Sequence, residues 1–160
     1  MDEKLEGNKF LLVSPGFKNG HDIPEQYTAH GKNVSPPLEW YDAPSDAQEF
    51  ALIMEDPDAP KNPPYIHWVA YHISPDQTEL KENVASNGGA VVMGTNSDGM
   101  AVYTGPNPPE KTGVHRYYFR LFALDAKLDV QPGATADQLM EAMRGHVIGE
   151  AEIVGRHQYH

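Results

Sequence analysis

Backbone breakers set the first limit on this chain: 14 glycines and 14 prolines occupy 28 of its 160 positions. Average usage of the two together is about one residue in eight. Proline in a helix interior removes a donor and clashes with the turn before it, so the composition favours many short strands over long helices. Turns join such strands, and a chain of 160 residues can bury a core around them without staples. The expectation is one domain over residues 1–160, mainly β, a sheet packed on a sheet with one or two short helices.

The apolar pattern locates the elements. Phe10 to Ser14 reads as a strand closed by Pro15-Gly16, and Lys18 to Pro37 is polar without a sustained period, an ordered loop. Phe50 to Met54 is continuously apolar and short, as expected of a strand covered on both faces. In Tyr65 to Ile73, strict alternation puts Tyr65, His67, Val69 and Tyr71 on one face and Trp68 and His72 on the other. Val91 to Met93 and Met100 to Tyr103 are shorter strand candidates around the turn Asn96-Ser97-Asp98-Gly99. Arg116 to Leu124 alternates most cleanly, with Tyr117, Phe119, Leu121 and Ala123 opposite Arg116, Tyr118 and Arg120. Thr135 with Gln138 three residues later forms a capping box for one helix, whose apolar stripe is Leu139, Met140 and Met143. Val147 to Val154 is a final amphipathic stretch.

Composition excludes several functions. Without cysteine there is no disulfide, no thiolate nucleophile and no sulfur-ligated metal, which suits a reducing compartment. A formal net charge of -11 repels phosphate backbones and anionic lipid surfaces, and no basic run offsets it, so neither nucleic acid nor a stable membrane contact is expected. The charged start Met-Asp-Glu-Lys-Leu-Glu-Gly is unlike a secretory signal and no run is long enough to span a bilayer, so the expected location is cytoplasmic. The glycosylation acceptor Asn33-Val34-Ser35 has no role there.

Two segments gather polar groups at strand ends. In Asp56-Pro57-Asp58-Ala59-Pro60, followed by His67-Trp68, the prolines hold Asp56 and Ala59 extended. In Thr104-Gly105-Pro106-Asn107-Pro108-Pro109, running into Gly113-Val114-His115-Arg116-Tyr117, glycine lets a ligand approach the backbone and His115 and Tyr117 share a face.

These two segments resemble the signature regions of the phosphatidylethanolamine-binding protein family. Asn33-Val34-Ser35-Pro36-Pro37-Leu38-Glu39-Trp40 and Gly145-His146-Val147-Ile148 are similar to its compact prokaryotic, Raf-kinase-inhibitor-like branch. The resemblance covers nearly the whole chain. It implies a large antiparallel sheet packed on a smaller one, with an edge cavity for phosphate or a phosphoethanolamine head group. It also implies that Asp56, His67, His115 and Tyr117 form the pocket, that Gly105 and Pro106 line its rim, and that Asp58 and Arg116 form a structural ion pair. A non-enzymatic binding protein follows, one that regulates a kinase or protease and forms a homodimer, as prokaryotic relatives do. No cofactor is implied.

Other readings of the same residues remain at this point. His67, His115 and Tyr117 could be interior filling, and two histidines with an aspartate could ligate a metal. A hydrolase could activate water with a His/Asp pair, although no Gly-x-Ser-x-Gly elbow, phosphate loop with lysine or His-Glu-x-x-His is present. His21, His30, His72, His146, His157 and His160 show no pairing in sequence.

Overall fold

In the computed structural model, which describes residues 9–84 and 90–159, alternation along two long strands decides which side chains face inward. The charged start at 1–7 and His160 lie outside the described residues. The strands are β1 (Leu11–Val13), β2 (Leu38–Tyr41), β3 (Glu49–Asp56), β4 (Tyr65–Ile73), β5 (Glu79–Leu80), β6 (Val92–Met93), β7 (His115–Leu124) and β8 (Val147–His157). Helix α1 spans Ala136–Met143. A five-stranded sheet runs β6-β4-β3-β7-β8 and a three-stranded sheet β1-β2-β5, with every pairing antiparallel. The two-sheet, mainly β architecture is the one expected.

Phe50, Leu52 and Met54 of β3, with Phe119, Leu121 and Ala123 of β7, face the small sheet and meet Leu12, Leu38 and Trp40 there. The opposite face of the large sheet carries Ala51 and Ile53 against Val69, Tyr71 and the α1 residues Leu139 and Met143. β3 is therefore covered on both sides, which explains its unbroken apolar run. The α1 capping box forms as expected: the Thr135 hydroxyl accepts the Gln138 N–H at 3.2 Å and Gln138 Oε1 accepts the Thr135 N–H at 2.9 Å. Met140, expected in the apolar stripe, is instead 46% exposed, so the buried stripe is narrower.

Two bulges correct the alternation expected for β4. Its pairing with β3 slips between Met54↔Trp68 and Glu55↔Ile66, leaving His67 as an extra residue. A bulge redirects a side chain without breaking the sheet. His67 thus joins Trp68 on the inter-sheet side, its ring 5.2 Å from that of Tyr117, while Val69 and Tyr71 face α1. The second slip lies between Phe50↔Ile73 and Leu52↔Ala70 and puts His72 at φ 54°. His72 therefore reaches the same segment as Tyr71: its Nε2 donates to the Val130 carbonyl at 2.8 Å, and Tyr71 donates to the Gln131 carbonyl.

The strand expected at Met100 to Tyr103 does not form. The Asn96 side chain takes the backbone groups a ladder would use, accepting from the N–H groups of Asp98 and Met100 and donating to the Val102 carbonyl at 3.0 Å.

Four histidines without a sequence signal have partners here: His72 with Glu49 at 3.1 Å, His146 with Asp125 at 2.9 Å, and His30 with His157 at 2.9 Å. Burial works against a charge on His72, but the Val130 carbonyl and the Glu49 carboxylate outweigh it and raise its pKa above the ordinary value. A raised histidine pKa stabilises the fold fully below the unfolded value of about 6.5, and the gain fades as pH rises through the folded value. Urea denaturation of the wild type and His72→Gln should therefore show a stability gap that is largest in mild acid and shrinks towards alkaline pH.

Candidate functional site

The inward rows of the central strands turn from apolar to polar at one end of the sheet. On β3, Phe50, Leu52 and Met54 are followed by Asp56; on β7, Tyr117 is preceded by His115. Asp56 pairs with Tyr65 at the start of β4, and the bulge brings His67 to the same end. These side chains open onto a cavity of about 550 Å³, completed by Lys61, Asp98, Thr104, Gly105 and prolines 60, 108 and 109. Asp56, His67, His115 and Tyr117, far apart in sequence, are thus brought together. Pro106 is not among the residues on the cavity wall; it is buried, and its carbonyl accepts the Ala29 N–H at 2.9 Å.

Hydrogen bonds settle which ring nitrogens are occupied. His115 Nδ1 lies 2.6 Å from Asp56 Oδ2, with the two side chains 1% and 5% exposed. Asp56 Oδ1 accepts the Asp58 N–H at 2.8 Å. His115 Nε2 lies 2.8 Å from the Thr112 hydroxyl oxygen, whose hydrogen is donated to the Pro109 carbonyl at 2.6 Å. A hydroxyl has one hydrogen, so the Thr112 oxygen accepts from His115. Both nitrogens of His115 are therefore engaged within the protein.

His67 differs. Its Nδ1 donates to the Thr104 carbonyl at 2.6 Å, which makes Nε2 the acceptor of a neutral ring. Burial pushes its pKa below the ordinary histidine value, opposed by the Thr104 carbonyl and Asp56. Beside it, Tyr117 is 1% exposed, yet its hydroxyl has no hydrogen-bond partner among the described residues. Burial and then the Asp56 carboxylate push the Tyr117 pKa upward, so it stays a neutral donor. Tyr65, its ring tilted against that of His67 at 4.7 Å, donates to Asp98.

Asp58 and Arg116 meet on the outer side. Arg116 Nε and Nη2 each donate to Asp58 at 2.9 Å, a two-pronged pair with its guanidinium in solvent. Its hydrogen bonds, then its charge, hold the Asp58 carboxyl below the usual range against a burial effect that raises it.

Gly105 is needed for a reason other than ligand approach. A β-carbon there would fall 2.4 Å from the Tyr27 carbonyl oxygen and 2.7 Å from Asn33 Oδ1, so the glycine lets the 27–33 loop press against the rim. Asn33 Oδ1 accepts the Gly105 N–H at 2.7 Å. Sequence reasoning missed Thr112, Asp98 and Asn33. Tyr65 carried a signal, its place on the same face as His67; Thr112 and Asp98 sit in turns whose composition says nothing about what they will meet.

The fold and pocket define a two-sheet β domain with a cavity at one end of the central strands, where polar side chains converge. The family model for phosphatidylethanolamine-binding protein matches residues 13–158, and the chain belongs to that family. It is 48% identical over 147 residues to a UPF0098 protein of Methanothermobacter thermautotrophicus, covering 90% of this chain and 95% of the relative. A crystal structure of the phosphatidylethanolamine-binding protein homolog CT736 from Chlamydia trachomatis superimposes with a TM-score of 0.88 at 39% identity, covering 96% of this chain and 99% of that one. YbcL of E. coli, a member of the mammalian family, matches with a TM-score of 0.87 at 26% identity over 95% and 99% of the two chains.

The buried contact and the exposed one should separate on mutation. Asp56→Asn weakens the acceptor of a buried donor and is expected to cost about 1–3 kcal/mol in urea denaturation. Arg116→Ala, which breaks a pair held in solvent, should cost much less.

Proposed function

We propose that this chain is a non-catalytic receptor whose pocket holds a small anion, a phosphate or phosphoethanolamine-like group, free or displayed on a partner protein. The observation that carries this reading is the Tyr117 hydroxyl, without a hydrogen-bond partner among the described residues and facing the cavity beside His67. Among the described residues Trp40 Nε1 is the buried side-chain polar atom left without a partner; the Tyr117 hydroxyl instead opens onto the cavity, a donor available to a ligand oxygen. With a chain charge of -11, attraction at long range does not favour an anion, so a local constellation must hold it. No described helix is long and apolar enough to cross a membrane, and the chain charge of -11 disfavours docking on anionic lipid, so the reading takes a free head-group-sized molecule and not an extracted lipid. Control of a kinase or protease is the protein-level form of the reading, in a cytoplasmic setting.

One arrangement favours a hydrolase: Thr112, His115 and Asp56 form a hydroxyl–imidazole–carboxylate series at 2.8 and 2.6 Å. The commitment of the Thr112 hydrogen to Pro109 weighs against it, because an activated nucleophile must give that hydrogen to the imidazole. Simple ester and phosphoester substrates are expected to show no turnover above that of a His115→Ala variant.

For binding, the sign follows from His67. One proton must lie between Nε2 and a phosphate oxygen, brought by the phosphate or by the ring, so phosphate affinity should be highest in acid and fall as pH rises. Calorimetry with phosphate at about pH 5 and about pH 8 reads this directly. Tighter binding at the higher pH, or none at either, would sink the proposal.

A further inference from the structure

An anion receptor needs donors, yet the groups around the gap between His67 and Tyr117 are mostly acceptors or already spent. From β3 comes the Asp56 carboxylate; from the 96–99 turn comes Asp98, which holds the Tyr65 hydroxyl of β4. From β7 comes His115, with both nitrogens engaged by Asp56 and Thr112. The rim segment offers no backbone donor at Thr104 or Gly105, whose N–H groups go to the His67 carbonyl and to Asn33. Lys61, the cation lining the cavity, is exposed at its edge. The Thr104 hydroxyl, whose oxygen accepts from Asn96 Nδ2 at 3.0 Å, and the exposed Asn107 lie on the same cavity wall; what faces the gap between the two rings is a donor, the Tyr117 hydroxyl, and an acceptor, His67 Nε2.

A doubly charged phosphate suits that pair poorly, since it offers lone pairs to another lone pair beside two carboxylates. A singly charged phosphate that still carries a hydrogen suits it well: an unprotonated oxygen accepts from Tyr117 and the P–OH donates to His67 Nε2. We infer that the pocket selects the terminal phosphate of a monoester in its hydrogen-bearing, singly charged form and discriminates against phosphodiesters. A diester has the same charge but no hydrogen to give. A head group still attached to its diacylglycerol is a diester and is disfavoured; a free phosphorylated alcohol is not.

This inference rests on the anion-receptor reading, and the test separates the two. Calorimetry of the full chain near neutral pH compares methyl phosphate with dimethyl phosphate in two buffers of different ionisation enthalpy. Methyl phosphate should bind about tenfold or more tightly, the factor expected when a buried acceptor gains its partner. Because the second pKa of a monoester lies near 6, its binding should also take up a proton, seen as a buffer-dependent heat. Equal affinity for the two esters overturns the selection and leaves the receptor; failure of both to bind overturns the receptor as well. His67→Gln, whose amide can turn a donor towards an ester oxygen, should erase the preference. If that variant misfolds, the wild-type comparison still decides.

Discussion

A carboxyl group and a histidine ring 2.6 Å apart, with almost no solvent contact, hold the ends of two central strands of the large sheet together. Neither group tolerates burial alone; each is stable there because the other completes its hydrogen bonding. Asp56 ties the end of β3 to the start of β7 and, through its second oxygen, fixes the turn that follows it. Thr112 occupies the far side of His115 and joins the rim loop to the same line of contacts. The cavity is therefore bounded on this side by groups whose hydrogen bonds are already made, which leaves His67 and Tyr117 to carry recognition in the proposed receptor.

That division of labour depends on a single extra residue in β4. Without the bulge opposite Met54 and Glu55, alternation would turn His67 towards α1 with Val69, and the cavity would lose its acceptor. The bulge lets β4 serve two cores at once. Trp68 fills the space between the sheets, His67 reaches the polar end beside it, and Val69 and Tyr71 still pack on the helix side.

Where the pattern was regular, the sequence was readable. β3, β7 and the capped helix follow from apolar periodicity and from Thr135 with Gln138, and the inward row Tyr117-Phe119-Leu121-Ala123 is the one alternation predicts. The candidate site was legible through the family resemblance carried by its two proline-rich segments, less through its individual residues. Asp56 and His115 alone are a polar residue at each of two strand ends, and nothing local announces that they meet. The misplaced features share one cause. His67, His72 and the 100–103 segment are set by bulges and by the Asn96 side chain, tertiary arrangements that override alternation without altering composition.

The central claim is that His115 is closed within the protein while His67 Nε2 is presented to the ligand. Long-range proton–nitrogen NMR of the histidine rings, recorded near neutral pH before and after adding phosphate, tests it most directly. The account predicts that free His67 carries its hydrogen on Nδ1, that its Nε2 resonance shifts strongly on addition of phosphate, and that the His115 nitrogens barely move. A large response at His115 with His67 silent, or His67 found with its hydrogen on Nε2, would contradict it.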